Sequence, residues 1–265
     1  ALLLLPLVAL PAAAADPFHA VADDVNQKMV KLFGAGGFRG LTNYGTGMLV
    51  SADGHILTVA SQLVDTNEIV VHLSTGKREK AAVLVTEPEL DVALLKIKVD
   101  GKKLDEPTGL GLPFFDVGAA AKRPKAEPGD WVLAFSNQFE IAMRDEPVSV
   151  QRGMVESYSK LSGRRGIFDF PYTGDVYVVD AITNGPGAGG GALTDRKGNP
   201  LGIVGRELRN AQSETWINYA IPVGATADVR DGDKTVTISV PEFVEKGMKG
   251  QYKPLVVVKD KSGPG

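Results

Sequence analysis

The chain contains no cysteine and only three histidines among its 265 residues. The absence of cysteine excludes disulfide bonds and thiolate metal sites. The histidines, His19, His55 and His72, are widely spaced and form no i,i+4 pair, which argues against a catalytic zinc site. We therefore expect no metal and no cofactor.

The chain has no large excess of positively or negatively charged residues. Lysine and arginine total 29 and aspartate and glutamate total 32, which gives a net charge of -3. A balance of this kind provides no bulk attraction to nucleic acid or to anionic lipid. We expect no nucleic-acid partner, and membrane association only if the apolar N-terminal segment is retained.

That segment, residues 1–15, is an apolar run followed by small residues, as in a secretory signal. It is short for a bilayer-spanning helix and contains Pro6 and Pro11, which favours cleavage over anchoring. Its basic leading region and an initiator methionine are missing, so the chain is predicted to be a fragment at this end. We expect an exported protein, periplasmic or extracellular, that begins near Ala15 or Asp16.

The spacing of apolar residues predicts one helix followed by many strands. Residues 16–33 have nearly helical spacing and predict a short amphipathic helix. From residue 41 short apolar runs alternate with turns, as in the hairpin formed by residues 45–50 and 55–60 across the Asp53-Gly54 turn. Near-regular strands without intervening helices predict a closed antiparallel barrel or a sandwich.

Residues 184–193 form a glycine-rich run that ends in Ala-Leu, followed by a polar turn and a second apolar run. This pattern indicates a tight backbone loop that leads into a β-hairpin. A phosphate-binding loop places its glycines at the start of a helix. Since no helix is predicted after this run, a nucleotide site is not favoured.

The glycine run resembles the nucleophile loop of trypsin-like serine proteases of the HtrA/Deg type, which reads Gly-Asn-Ser-Gly-Gly-Ala-Leu. In an ungapped alignment Gly187 takes the first glycine, Ala188 the asparagine and Gly189 the nucleophilic serine. The resemblance thus implies that the oxyanion-hole positions are Gly187, Ala188 and Gly189, and that the nucleophile is absent. One additional residue before the loop, Gly185, departs from the family pattern.

The first half of the chain is similar to the first barrel of the same proteases. The motif at residues 86–97 contains Asp91, which the resemblance assigns to the aspartate that orients the catalytic histidine. Counting forward from Thr58 puts Ser61 at the histidine position, whereas counting back from residues 63–65 puts Gln62 there. Neither residue is a base, so the resemblance implies that only Asp91 of the triad remains.

The resemblance extends over roughly residues 40–223 and ends with Tyr-Ala-Ile-Pro at residues 219–222. It implies an all-β fold of two six-stranded antiparallel barrels, with a short N-terminal helix and a C-terminal extension. The predicted segments are a partial signal peptide, the helix with the first barrel, the second barrel, and an extension or linker to a missing module, at residues 1–15, 16–118, 119–225 and 226–265.

Other polar residues are weaker candidates for a catalytic or binding role. Four serines fall outside the loop that would face the cleft, and no histidine is predicted near them: Ser136, Ser157, Ser159 and Ser162. Arg164 and Arg165 form an exposed pair whose alternatives are a solvated loop tip and a carboxylate-binding fork. The basic run at residues 122–125 is predicted to be a solvated linker, balanced by nearby acidic residues.

The sequence therefore predicts an exported homologue of trypsin-like proteases that lacks peptidase activity and acts as a binding or scaffold protein in the cell envelope. Its expected partners are extended peptides or envelope proteins. Two alternatives stay open, an active HtrA-like endopeptidase with a rearranged triad and a purely structural module. The sequence does not distinguish the scaffold from the structural module, and it leaves the oligomeric state open.

Overall fold

The computed structural model describes residues 17–35, 42–66, 69–165, 168–170, 172–210, 212–231 and 234–252. The first half contains one helix and six strands: α1 Pro17–Asn26, β1 Met29–Ala35, β2 Thr42–Leu49, β3 His55–Val59, β4 Ile69–Leu73, β5 Arg78–Glu87 and β6 Val92–Lys98. The strands close into an antiparallel barrel in the order β1-β2-β3-β6-β5-β4. The proposed signal segment, residues 1–15, lies outside the described residues.

The second half begins with the short helix α2, Val117–Ala120. Its strands are β7 Trp131–Ser136, β8 Ser149–Lys160, β9 Gly163–Arg165, β10 Phe168–Asp169, β11 Asp175–Val179, β12 Ala192–Asp195, β13 Pro200–Val204, β14 Arg209–Asn210 and β15 Tyr219–Pro222. Six of them form a second closed barrel in the order β11-β15-β13-β12-β7-β8. The predicted pair of six-stranded antiparallel barrels is confirmed.

Two predictions of local structure were wrong. The helix expected over residues 16–33 ends at Asn26, and residues 29–35 are strand β1, which pairs with β2 and β4 and closes the first barrel. Val30 and Leu32 are both fully buried there, so tertiary pairing overrides the helical spacing. Arg164 and Arg165 lie in β9, which pairs with β10 and β14, rather than at an irregular loop tip.

The C-terminal extension packs on the barrels. Strands β16 (Thr226–Asp231) and β17 (Lys234–Ser239) form a hairpin, and α3 (Val240–Met248) follows it. Ser239 caps α3 by accepting a hydrogen bond from the Glu242 N–H at 3.3 Å. Phe243 is fully buried in the same apolar cluster as residues of both barrels, among them Leu57, Leu94, Phe135 and Ile203. No helix in the described part of the chain is long and apolar enough to cross a membrane.

Candidate functional site

A small cavity of about 120 Å³ lies where the two barrels meet. The first barrel contributes the start of β2 and the residues that follow β3, and the second contributes the glycine run and the segment after β13. Five of the lining residues matter for the chemistry of the site: Thr58, Ser61, Gly187, Gly189 and Arg206. The fold therefore brings the glycine run to the same point as Ser61, one of the two alternatives for the histidine position.

The glycine run forms two successive turns rather than a helix. The Ala188 N–H donates to the Gly185 carbonyl at 3.1 Å, and the Gly191 N–H donates to the Ala188 carbonyl at 3.0 Å. Gly190 has a φ of 86°, and a Cβ atom there would lie 2.1 Å from the Thr46 carbonyl oxygen, so only glycine fits. The N–H groups of Gly187 and Gly189 donate no hydrogen bond within the described residues. They are the two donors that the resemblance assigns to the oxyanion hole.

Thr46 holds this loop in place. Its side-chain hydroxyl donates to the Gly187 carbonyl at 2.7 Å and accepts from the Asn137 N–H at 2.8 Å. Its own N–H donates to the Gly189 carbonyl at 3.2 Å. Thr46 is fully buried, so these bonds are shielded from water. In the sequence Thr46 belongs to the predicted strand at residues 45–50, and no local pattern indicates that its hydroxyl joins the two barrels.

The space beside Gly189 is already filled. A Cβ atom built on Gly189 would lie 3.0 Å from Val59 Cγ2 and 3.2 Å from Arg206 Cγ. These distances are shorter than normal carbon contacts, so even a small side chain would require Val59 or Arg206 to move. The structure around Gly189 is thus adapted to a residue without a side chain.

Asp91 is paired with an arginine. Arg206 Nη2 donates to Asp91 Oδ1 at 3.0 Å, and the Asp91 side chain is only 1% exposed. Asp91 also has a left-handed backbone conformation, with φ 55° and ψ 34°, at the end of a short 3-10 helix. The pair joins the first barrel to the segment after β13. Arg206 had not been singled out from the sequence, because its distance from Asp91 along the chain gives no signal of the contact.

Ser61 and Gln62 differ in their relation to the cavity. Ser61 precedes a 3-10 helix at Gln62–Val64, has extended backbone angles and makes no side-chain capping hydrogen bond. It lines the cavity, whereas Gln62 is exposed and does not. The structure therefore brings Ser61 to the cavity and leaves Gln62 at the surface.

The three histidines lie elsewhere. His55 is at the far end of β3 and is 6% exposed, and its Nδ1 lies 2.7 Å from the Ser51 hydroxyl. Burial, with the nearby Lys96 ammonium, lowers its pKa to about 4. His72 packs against Phe33 with ring centroids 4.5 Å apart, and burial together with Arg78 and Lys31 lowers its pKa. His19 lies on α1 beside Asp23. None of them lines the cavity.

The alternative serines are also outside the cavity. Ser136 ends β7 and is 3% exposed, Ser157 and Ser159 lie on β8, and Ser162 precedes β9. The Thr46 and Thr58 hydroxyls are close to the glycine run, and both donate to carbonyl groups. Thr46 bonds to Gly187 as described, and Thr58 Oγ1 donates to the Thr46 carbonyl at 2.7 Å.

We predict that Asp91 and Arg206 are energetically coupled. A double-mutant cycle of Asp91→Asn and Arg206→Met should give a coupling free energy of about 1 to 2 kcal/mol in urea unfolding. This is below the usual value for a fully buried pair because the Arg206 side chain is 28% exposed. The exposed pair Arg209–Glu214, 3.8 Å apart, is the control and should couple by less than about 0.5 kcal/mol. Equal coupling in the two cycles would contradict the prediction.

We predict that His55 makes the fold sensitive to acid. Its pKa is about 4 in the folded protein and 6.5 as the ordinary value, so the unfolded chain binds more protons between those pH values. The contribution to stability is complete above pH 6.5 and decreases as the pH falls toward 4, by about 2 to 3 kcal/mol. Unfolding free energies measured from pH 7 to pH 4 should fall less steeply for His55→Asn than for the unmodified protein. His19→Gln is the control, and parallel curves for all three proteins would exclude the effect.

Comparisons with known proteins identify the family of this chain. The family model described as the trypsin-like peptidase domain matches residues 45–203, more than half of the chain. A probable periplasmic serine endoprotease, DegP-like, from Pseudomonas putida is 32% identical over 189 residues, which are 70% of this chain and 34% of that protein. The corresponding protein from Pseudomonas fluorescens is 31% identical over 191 residues, 72% of this chain and 35% of that one. The chain thus spans about a third of the length of these relatives.

A solved structure is also similar. The HtrA-type protease AlgW with a tripeptide aligns with a TM-score of 0.57 and 25% identity, covering 77% of this chain and 59% of that one. It supports the assignment of the two barrels to the trypsin-like, HtrA-type fold. The chain belongs to the family of the trypsin-like peptidase domain.

Proposed function

We propose that this chain is a trypsin-like protease homologue of the cell envelope that lacks peptidase activity and binds extended peptide or protein segments in the cleft between its barrels. The observation that carries the proposal is the arrangement of residues at the cleft. Glycine occupies the position that the resemblance assigns to the nucleophile, and Arg206, whose Cγ lies beside Gly189, is paired with Asp91.

The chemistry of acyl transfer supports the absence of turnover. A serine protease needs a hydroxyl nucleophile and an imidazole that accepts its proton, and either loss alone removes almost all of the catalytic rate. Gly189 has no side-chain oxygen. Thr46 and Thr58 use their hydroxyl protons in bonds to carbonyl groups, and Ser61 has no histidine beside it in the cavity.

Backbone groups support the binding of a segment. The N–H groups of Gly187 and Gly189 make no hydrogen bond within the described residues, nor do the backbone N–H and carbonyl groups of Arg206 and Glu207. Residues 205–208 connect β13 to β14, and Arg206 and Glu207 of this segment line the cavity. An extended peptide pairs with the backbone groups of these two residues in the proposed complex, and its carbonyl groups accept from the glycine run.

The location in the envelope rests on two observations. Residues 1–15 have the pattern of a secretory signal. The relatives from Pseudomonas putida and Pseudomonas fluorescens are named periplasmic. A periplasmic location therefore fits this chain better than an extracellular one.

Active endopeptidase function is the second candidate, because the same relatives are named serine endoproteases. It would require Ser61 or another hydroxyl to act with a base other than histidine. A purely structural role is the third, in which the cleft binds nothing. Two measurements distinguish the three candidates.

The first prediction is chemical inertness. Purified protein should not be labelled by a fluorophosphonate probe and should not cleave unfolded casein, because none of the described residues that line the cavity is a histidine that could activate a hydroxyl. An active HtrA-type protease under the same conditions verifies the assay. Stoichiometric labelling at a serine would refute inactivity and support the endopeptidase.

The second prediction concerns peptide binding at Ser61. The protein should retain members of an extended-peptide library with a Kd in the micromolar range, on the order of 8 kcal/mol of binding free energy. Ser61→Trp should weaken retention by about tenfold or more because the indole would fill the small cavity. The extended backbone of Ser61 accepts any side chain, and no capping bond is lost, so the fold should be kept.

Gln62→Trp is the matched control, since Gln62 is exposed and does not line the cavity. It should retain peptides as the unmodified protein does. Equal retention by both tryptophan variants would refute binding in the cleft. No retention by any of the proteins would favour the structural module.

A further inference from the structure

A second and larger cavity, about 320 Å³ in volume, lies at the opposite end of the second barrel from the cleft. It is formed at the end of β8, the start of β11, the start of β13 and the end of β15, together with the segment that follows α2. The cleft is formed at the other ends of β11 and β13, beyond Val179 and Val204. The two sites are therefore separated by the length of the barrel strands.

The charge of this cavity is predominantly positive. Arg123, Lys125 and Lys160 line it, and Asp175 is the one carboxylate among its lining residues. Arg123 also lies 3.8 Å from Asp195, which neutralises part of its charge. The two lysines form no ion pair of 4 Å or less that involves the described side chains. An anion that enters the cavity would meet a local excess of positive charge.

The acidic residues near the basic run in sequence do not remove this excess. Asp116 caps α2 by accepting from the Ala119 N–H at 2.8 Å, and Asp130 accepts from the Glu127 N–H at 2.9 Å. Neither of them, nor Glu127, lines the cavity. Arg123 and Lys125, two members of the basic run at residues 122–125, are thus exposed to solvent and also line this concave surface.

Tyr158, Tyr172 and Tyr177 supply ring surface, and the Tyr172 hydroxyl already donates to the Asp175 carbonyl at 3.3 Å. The Tyr158 and Tyr177 rings meet edge to face with centroids 5.0 Å apart, and Lys125 Nζ lies 4.3 Å from the Tyr158 centroid. Burial raises the pKa of Tyr172 and of Tyr177, so both phenols stay protonated at neutral pH. The Tyr177 oxygen accepts from the Ala126 N–H at 3.4 Å, which leaves its own proton available to an acceptor.

The remaining wall is largely apolar and includes Ala120, Ala121, Leu201, Pro222, Val223 and Ala225, with Thr226 as a further polar residue. A concave site of this size that combines an apolar wall with convergent polar groups has the character of a small-molecule site. We propose that this cavity, which we call the tyrosine pocket, binds a small organic anion: an apolar or aromatic body with one phosphate or carboxylate group directed toward Lys125, Lys160 and the Tyr177 hydroxyl. The apolar wall receives the body of the ligand, and the cations receive its charge.

Phenyl phosphate is the probe that combines both features. Isothermal titration should detect its binding to the full chain at low salt, with weaker binding in 0.5 M NaCl because the charge interactions are partly exposed and screened. Inorganic phosphate lacks the apolar body and phenol lacks the charge, so each should bind at least about tenfold more weakly. Benzoate tests whether a carboxylate can replace the phosphate.

Single substitutions test whether phenyl phosphate binds in the tyrosine pocket. Lys160→Gln should weaken phenyl phosphate binding by about tenfold, the size expected for one charge-assisted hydrogen bond. Lys103→Gln, an exposed lysine in the first half of the chain that does not line the pocket, is the matched control and should bind as the unmodified protein does. Tyr177→Phe should weaken binding without any loss of charge. Circular dichroism melting verifies that each variant is folded.

The proposal is overturned if phenyl phosphate does not bind, or if Lys160→Gln and Lys103→Gln bind it equally. Equal binding of phenol would show an apolar cavity without anion recognition. Equal binding of inorganic phosphate would show an ion site without a place for the organic body. Each of these results contradicts the proposed ligand class.

Discussion

The geometry of the cleft depends on the hydrogen bonds of one buried residue, Thr46. Its hydroxyl links β2 to Gly187 in the glycine run and to Asn137 after β7, and its N–H links β2 to Gly189. These bonds cross from the first barrel to the second, so the loop is positioned by a residue that does not belong to it. Because the bonds are buried, each lost partner would leave a polar group without compensation. Thr46 therefore fixes the loop whether or not the loop carries a nucleophile.

The ion pair of Asp91 and Arg206 is the second link between the barrels at this point. A buried carboxylate is costly unless it is paired and hydrogen-bonded. In a working triad an imidazole would face this carboxylate, whereas here a guanidinium does so at 3.0 Å. Arginine has no accessible neutral form and cannot pass a proton between Asp91 and a neighbouring group. The pair therefore gives the carboxylate a structural partner, and the crowding of Gly189 by Arg206 Cγ follows from the same placement.

Features carried by local patterns could be predicted from the sequence, and features made by distant contacts could not. Turn residues and the alternation of apolar with polar residues predict three features that the structure contains: the hairpin across Asp53-Gly54, the strand-rich second half and the non-helical glycine run. Residues 29–33 were misassigned because their spacing fits a helix as well as a strand, and only pairing with β2 and β4 decides between them. Arg206 meets Asp91 across 115 positions of the chain, and the tyrosine pocket collects side chains from four strands. No local pattern reports such contacts.

The functional features of such a cleft are of two kinds, those made by the backbone and those made by single side chains. The turn glycines and the backbone N–H groups that lack a partner among the described residues are made by the backbone, and they persist through side-chain substitutions as long as the barrels hold their register. Nucleophiles and bases are single side chains, and one substitution removes them without disturbing the fold. Membership of the trypsin-like peptidase domain family therefore predicts the first kind of feature far better than the second. In the proposed function an extended segment is held by main-chain hydrogen bonds, so its binding does not require a nucleophile or a base.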